Sequence, residues 1–222
     1  MLTYKRKRKS SKKVEFFKAL FIVVLIGIVL RVFVAMPYRV NSSDMQNSLA
    51  NGDFLLVNQL AYRSELPVAG DVVIFEHPIR VGTERVGRIV ATEGQTVEIK
   101  GKRVYIDGRL LDDAAYSVHD DYRILPADYS SRDFYGPTQV PSGSVFILCD
   151  NRDSGEDSRQ FGPVNCASIK GKGTFVYWSW KPDPNSPKWE SPYVIPAVEI
   201  LFYNLFHFPS RINWDRIGAQ AE

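Results

Sequence analysis

The segment VNSSDMQNSL, from Val40 to Leu49, concentrates side chains that could carry out chemistry. It contains three serine hydroxyls and the carboxylate of Asp44. A serine hydroxyl becomes a nucleophile when a neighbouring base removes its proton, and a carboxylate can serve as a general acid or base. The same residue types are common in solvated turns, where they bond to nearby backbone groups. The segment is therefore a candidate active-site loop, a binding loop or a hydrated connection.

A second polar segment, DNRDSGEDSR from Asp150 to Arg159, follows an apolar run later in the chain. Its carboxylates Asp150, Asp153 and Asp157 could each partner Asp44 in an aspartic-type mechanism, in which two carboxylates share one proton. Isolated aspartates in polar loops are usually hydrated surface charges. Since nothing in the spacing specifies a pair, surface charge is the favoured interpretation and the aspartic-type site is the alternative.

Metal and nucleotide chemistry have no support in the sequence. The three histidines, His77, His119 and His207, are widely separated and lack the paired spacing of metal ligands. The chain also lacks a GxGxxG motif and a P-loop, so we expect no metal and no cofactor. The two cysteines, Cys149 and Cys166, could form a disulfide in an oxidising compartment or remain free thiols, and the sequence leaves both options open.

The N-terminal region has the pattern of a membrane anchor. Residues 1–13 hold seven lysines and arginines and no acidic residue. The 21 residues from Phe16 to Met36 are apolar except for charges near the ends, and a helix of about 20 residues crosses the hydrocarbon core of a bilayer. We therefore predict a basic tail at 1–13 and a transmembrane anchor at 14–36. A basic tail beside such a segment favours contact with anionic lipid over contact with nucleic acid.

A cleaved secretory signal is the alternative interpretation of the same region, since it also begins with basic residues followed by an apolar run. Phe33 and Ala35 fit the small-residue rule of its cleavage site poorly, so a retained anchor is favoured. The positive charges predict a cytoplasmic N-terminus. Residues 37–222 would then form an extracytoplasmic domain on a single-pass protein of the plasma (inner) membrane.

The body of the chain is predicted to be mostly β, with antiparallel sheets of a barrel-like kind. Short runs rich in Val, Ile, Phe and Tyr recur between turn signals, namely FLLVNQ, DVVIF, RVGRIVA, TVEIKGKRVYIDG, SVFILCD and GTFVYWSW. Gly101-Lys102 and Asp107-Gly108 are spaced for tight hairpin turns.

One helix is predicted near the C-terminus. The segment AVEILFYNLFHF is densely apolar, and Pro196 is suited to a helix start. Its aromatic residues could lie on the outer leaflet of the membrane or pack against the domain. Packing is favoured, because large exposed apolar patches are uncommon. The aromatic residues concerned are Phe202, Tyr203, Phe206 and Phe208.

Taken together, several blocks of the sequence resemble bacterial signal peptidase I, the serine peptidase family S26. An anchor is followed in order by YRVNSSDMQNSLANGDFLLVNQ, GDVVIFEHP, RVGRIVATEGQTVEI, VPSGSVFILCDNRDSGEDSRQFG and RINWDRIG. The resemblance implies a mostly β, signal peptidase I-type catalytic domain on the outer face of the plasma membrane. It also implies that a signal peptide binds there as an added strand. Residues 112–138, rich in Asp, Tyr and Arg, are predicted to be a surface insertion in that domain.

The resemblance also implies catalytic positions, and this chain departs from the family at three of them. Members use a serine nucleophile and a lysine general base. The nucleophile position before Met45 holds Asp44, and the base position before Arg88 holds Gly87. The serine that orients the lysine falls at Gly155, with Ser154 adjacent. Loss of all three groups together predicts a chain that no longer performs the reaction.

Other positions match the family. Ser42 corresponds to the side-chain donor of the oxyanion hole, and Val40 and Met45 are expected to line the peptide groove. The motif after the last core strand is expected to be structural, with an ion pair between Asp157 and Arg159. Its matching residues are Asp150, Asn151, Arg152, Asp157 and Arg159. Ser42 could instead be a turn hydroxyl bonded to local backbone.

Two functions therefore remain open. The first and favoured one is a catalytically inactive homologue that binds a signal peptide or preprotein segment, or partners an active signal peptidase in the same membrane. The second is an active membrane peptidase that uses Ser42, Ser43 or Asp44 in an unusual arrangement. Ser43 is expected to face away from the groove, because neighbouring residues on an extended chain point to opposite sides.

Overall fold

A computed structural model describes residues 12–181, 183 and 194–221. Four helices and eleven strands follow in chain order: α1 (Lys12–Phe33), β1 (Ala35–Arg39), β2 (Asp53–Asn58), α2 (Ala61–Ser64), β3 (Val72–Glu76), β4 (Glu84–Thr92), β5 (Thr96–Lys100), β6 (Arg103–Ile106), β7 (Arg109–Leu110), β8 (Phe134–Gln139), β9 (Ser144–Leu148), α3 (Ser158–Phe161), β10 (Val164–Asn165), β11 (Ile169–Ser179) and α4 (Val194–Arg211).

The strands form two antiparallel sheets, which confirms the predicted mostly β fold. A seven-stranded sheet has the order β1-β2-β11-β3-β4-β9-β10, and a four-stranded sheet has the order β7-β6-β5-β8. β1 lies at one end of the larger sheet and pairs with β2. β4 lies inside it, with β3 on one side and, from Arg88 onward, β9 on the other.

The predicted hairpin turns are present. Gly101 and Lys102 join β5 to β6, and Asp107 and Gly108 join β6 to β7. All four residues have positive φ, between 51° and 77°. Two consecutive positive φ values match the twist of a two-residue hairpin, which explains why glycine occurs in both turns.

The N-terminal helix differs from the prediction. α1 covers Lys12–Phe33, and the chain enters β1 at Ala35, where Ala35 and Met36 pair with Asn58 and Val57 of β2. Within the residues that the structure describes, no helix is both long enough and apolar enough to cross a membrane. The spanning helix predicted at 14–36 is therefore not found, and its last two residues belong to a strand. Most of the predicted tail at 1–13 lies outside the described residues.

The predicted C-terminal helix is present, but its aromatic side chains do not all pack. Pro196 is the third residue of α4. Phe208 packs on the rings of Trp178 and Trp180, as expected. Phe202 and Phe206 are 53% and 76% exposed, so the expectation of packing is wrong for them.

Residues 112–138 reach further into the domain than a surface elaboration requires. Asp133 is fully buried, and Val118 forms a bridge with Asn151. Phe134 begins β8, which pairs with β5 in the smaller sheet.

Cys149 and Cys166 are both free thiols in the structure.

A buried ion pair fixes the central strands. The guanidinium of Arg88 donates from Nε and Nη2 to the two carboxylate oxygens of Asp150, each at 2.9 Å. It also donates to the carbonyl of Gly70 and to the hydroxyl of Ser48, and it lies 4.2 Å from the ring of Tyr116. Since Ser48 ends the polar segment of Asp44, this pair ties that segment to β4 and to the end of β9.

Removing the cation of this pair is expected to cost stability. In Arg88→Met the Asp150 carboxylate, which is 0% exposed, keeps its burial without its counter-ion. We expect the free energy of unfolding to fall by about 3–5 kcal/mol, measured by urea denaturation. Arg103→Met on the exposed side of β6 is the matched control and should change it by less than about 0.5 kcal/mol. Equal effects of the two variants would refute the role assigned to Arg88.

Candidate active site

The polar segment 40–49 is a series of turns rather than an extended strand. Val40 and Met45 are completely buried, and they belong to the core cluster beneath β1, β2 and β11. Asp44 is buried at 8% exposure, whereas Ser43 is exposed. Ser43 and Asp44 thus differ in exposure, and the turns, not strand alternation, set their directions. Ser42 is half-buried.

The carboxylate of Asp44 forms an ion pair with Arg85 on β4. Arg85 Nη1 lies 3.2 Å from Asp44 Oδ2, and Arg85 Nη2 lies 2.8 Å from the carboxylate of Glu156. Glu156 also contacts Arg80, and His77 Nε2 lies 3.4 Å from it. The hydrogen bond from Arg80 lowers the pKa of Glu156. Asp44 thus ends a chain of alternating charges.

The aspartic-type alternative receives no support from the geometry. Each candidate partner of Asp44 has a cation of its own: Asp150 pairs with Arg88, Asp153 with Lys102 at 2.6 Å, and Asp157 with Arg159 at 2.7 Å. A proton-sharing pair requires two carboxylates in direct contact. In the described part of the chain, no carboxylate is hydrogen-bonded to Asp44.

The position of Gly87 has no room for a side chain. Gly87 and Arg85 are two residues apart on β4 and so lie on the same face of the strand. A Cβ atom at Gly87 would lie 2.5 Å from Cγ2 of Ile147 and 3.5 Å from the ring of Phe75. Any larger residue at this position therefore requires Ile147 to move.

The position of Gly155 is also constrained. Its φ of +87° lies in the left-handed region that favours glycine. A Cβ atom there would lie 2.8 Å from Cys149 Sγ and 3.0 Å from Asp44 Cγ. The structure therefore brings Gly155 and Asp44 together, and Cys149 lies beside both. The adjacent Ser154 has a buried hydroxyl without a partner among the described residues.

Two ionisable groups near Asp44 have shifted pKa values. Burial raises the pKa of the Cys149 thiol well above its usual range, and the charges of Asp157 and Asp44 add to this effect. Burial, followed by the charge of Glu84, raises the pKa of Tyr38 to about 12. A thiol of this kind stays protonated and is a poor nucleophile at neutral pH. Tyr38 of β1 packs against the core cluster that contains Val86 of β4, so β1 comes close to the first half of β4.

The expected ion pair between Asp157 and Arg159 is present and buried. Asp157 also caps α3 through a hydrogen bond from the Arg159 backbone N–H, with Gln160 completing a capping box. The Arg159 guanidinium donates to the carbonyls of Arg152 and Arg132, each at 2.7 Å. This motif holds the turn that carries Gly155.

Residues 112–138 contact the rest of the motif. Arg152 pairs with Asp113 at 3.0 Å, and the Asn151 amide donates to Asp120 at 2.5 Å. The backbone N–H of Asn151 donates to the carbonyl of Asp44, at 2.9 Å. The described residues contain no group of three His, Cys, Asp or Glu side chains that could hold a metal ion.

Sequence reasoning missed the residues that surround the predicted positions, namely Arg85, Glu156, Cys149 and Ile147. A signal for Arg85 was available, because it lies two residues before Gly87 on a predicted strand. Ile147 and Cys149 carried no such signal, since only strand pairing between β4 and β9 brings Ile147 against Gly87.

The crowding at Gly87 leads to a packing prediction. Gly87→Ala should lower the free energy of unfolding by about 1–3 kcal/mol, because its methyl group overpacks against Ile147. Adding Ile147→Ala removes Cγ2, so the cost of Gly87→Ala in that background should nearly vanish. Ile147→Val keeps Cγ2 and is the control, because in that background Gly87→Ala should keep its full cost in the free energy of unfolding. The measurement is a double-mutant cycle by urea denaturation, and additivity in the Ile147→Ala cycle would contradict the prediction.

Comparisons with known proteins identify the family of the chain. The sequence profile of the family described as signal peptidase, peptidase S26, matches residues 13–178. Signal peptidase I of Aquifex aeolicus is 28% identical over 87% of this chain and 95% of its own length. Signal peptidase I of Bacillus caldolyticus is 31% identical over 80% of this chain and 96% of its own length. A crystal structure of signal peptidase I from Enterococcus faecalis aligns with 49% of this chain and 97% of its own, at 27% identity and a TM-score of 0.38. The chain belongs to the signal peptidase family, peptidase S26.

Proposed function

We propose that this chain is a catalytically inactive member of the signal peptidase I family that still binds extended peptide segments. At the level of the family, the activity is removal of signal peptides from preproteins. The observation that carries the proposal is the ion pair between Asp44 and Arg85, which occupies the place expected for the nucleophile.

The chemistry of the site supports inactivity. Asp44 has no hydroxyl to form an acyl intermediate, and Arg85 stays protonated at physiological pH and cannot act as a base. Gly87 has no side chain, and Ile147 fills the space beside it. Among the described residues, neither Ser42 nor Ser43 has a side-chain hydrogen bond to a group that could activate it. An active peptidase with a displaced serine nucleophile is therefore not favoured.

Peptide binding is supported by unpaired strand edges next to Asp44. β1 is the terminal strand of the larger sheet, with β2 on one side. Residues Glu84–Gly87 of β4 pair with β3, and pairing with β9 begins at Arg88. Among the described residues, no strand pairs with the outer edge of β1 or with Glu84–Gly87 on the side of β9. These two edges approach each other near Tyr38 and can take an extended segment by strand addition, where backbone hydrogen bonds supply affinity.

The first test is cleavage of a preprotein with an Ala-x-Ala site by the purified full-length chain. We expect mass spectrometry to detect no cleavage product, either from the natural chain or from Asp44→Ala. Cleavage by the natural chain that is lost in Asp44→Ala would overturn the proposal. Labelling of Ser42 or Ser43 by an acylating inhibitor would favour the active alternative instead.

A second test asks whether the peptide groove is retained. Asp44→Ser, Gly87→Lys and Gly155→Ser restore the family groups, and Ile147→Ala and Cys149→Ala make the room that two of them need. We expect the variant with all five substitutions to cleave the preprotein. The variant with only the three restoring substitutions should remain inactive. The matched control carries Asp44→Ala with the other four changes. If the variant with all five substitutions folds but neither cleaves the preprotein nor binds a labelled Ala-x-Ala peptide, that result would argue against a retained groove.

We also propose that α1 attaches the domain to the membrane through its apolar side chains. The described apolar side chains of α1 are exposed, among them Phe17, Phe21 and Val23 at 64–67%. A helix whose apolar side chains are exposed on every side needs a lipid or protein partner. Association with an active signal peptidase in that membrane is a further role, which co-purification of the two proteins would test.

Membrane attachment can be tested by carbonate extraction of cells that express the full chain. We expect the natural protein in the membrane pellet and Leu20→Asp/Val24→Asp in the soluble fraction, because carboxylates on α1 oppose burial in lipid. Leu66→Asp/Val81→Asp, at two exposed loop positions, is the control and should stay in the pellet. A pellet location for both variants would contradict attachment through α1.

A further inference from the structure

Two polar side chains of the C-terminal helix α4 contact residues outside the helix. The Tyr203 hydroxyl donates to Asp183 at 2.8 Å, and the guanidinium of Arg211 lies 5.3 Å from the ring of Trp180. His207 lies between them, and its ring stacks on Tyr203 at 4.2 Å. Residues 203, 207 and 211 are spaced by four and so form one stripe of the helix.

A neighbouring face of α4 is apolar and exposed. Phe202, Leu205 and Phe206 are 53%, 66% and 76% exposed, at the spacing of three and four residues that places side chains together. A surface helix in water turns its apolar stripe to the core and its polar stripe to solvent. In the described part of α4, the face formed by Phe202, Leu205 and Phe206 is instead apolar and exposed.

Aromatic contacts fix α4 to the domain in this orientation. The ring of Phe208 lies 5.9 Å from Trp178 and 5.8 Å from Trp180, at the end of β11. Trp214, just after the helix, is 60% exposed, and its ring N–H donates to the carbonyl of Pro209. Exposed tryptophans with a satisfied ring N–H are typical of the boundary between a membrane and water.

The end of α1 lies near the same strand. A cavity of about 440 Å³ is lined by Arg31 of α1, Ala35, Pro37, Leu56 and Tyr177. Tyr177 directly precedes Trp178, and the ring of Trp178 packs against Phe208 of α4. The two helices with exposed apolar side chains therefore meet neighbouring residues of β11.

We propose that α4 is an interfacial helix that lies on the surface of a lipid bilayer, with Phe202, Leu205 and Phe206 in the acyl boundary. Lipid is the occupant that fits, because α1 brings its own apolar side chains next to the same strand. The guanidinium of Arg211, in the last turn of α4, is turned toward Trp180. Apolar burial and not charge thus drives the contact, so zwitterionic lipid suffices and added salt leaves binding unchanged. This proposal rests on the proposed membrane attachment through α1 and not on whether the site binds peptide.

The test uses the full-length chain in phosphatidylcholine vesicles with a fluorescent probe on single cysteines. Cys166→Ser removes the accessible thiol, and Cys149 can remain because its thiol is buried with a raised pKa. Probes are placed by Leu205→Cys and Phe206→Cys on α4. Tyr129→Cys, 79% exposed in the 112–138 segment, is the matched control, and Val23→Cys reports on α1 separately.

We expect doxyl-labelled lipid to quench the probes at 205 and 206, and aqueous iodide to quench them several-fold less than the probe at 129. Neither result should change between low and high salt. Iodide quenching at 205 equal to that at 129, while the probe at 23 is shielded, would overturn the proposal. Shielding at 205 that grows with protein concentration in detergent, with energy transfer between copies, would also overturn it by making a second copy the occupant.

Discussion

The buried ion pair between Arg88 and Asp150 is the interaction on which the rest of the domain depends. Burying an arginine costs several kcal/mol unless its N–H groups find partners. Here Asp150 takes two of them, Gly70 and Ser48 take others, and Tyr116 covers the guanidinium. One side chain thereby joins the polar segment 40–49, two central strands and the segment after residue 112. The residues of the predicted site lie close together because Arg88 holds these parts of the chain in contact.

Around that place, packing and not only residue type opposes the family chemistry. Gly87 lies against Ile147, and Gly155 lies against Cys149 and Asp44. Protein interiors are close-packed, so the neighbour beside such a glycine must move before a larger side chain can be placed there. Arg85 in turn neutralises the carboxylate of Asp44. The substitutions and their surroundings form one consistent arrangement.

The proposals together describe a peptide-binding domain that lies close to lipid. Among the described residues, the unpaired edges of β1 and β4 are near Asp44, and the ends of α1 and α4 lie near β11. A segment that emerges from a membrane would reach such a domain with little loss of conformational freedom. Binding energy would then come from backbone pairing along the strand edges, where no bond needs to be broken.

The sequence by itself determined the family, the mostly β class, the two hairpin turns and the C-terminal helix. These depend on local pattern, since residue alternation, glycine in turns and proline at a helix start act over a few neighbouring residues. Tertiary structure alone decided what surrounds Asp44. Arg85 and Ile147 come from different strands, and only their pairing brings them to the site. It also decided the direction of Phe206, because the side of a helix that faces the domain is set by contacts distant in sequence.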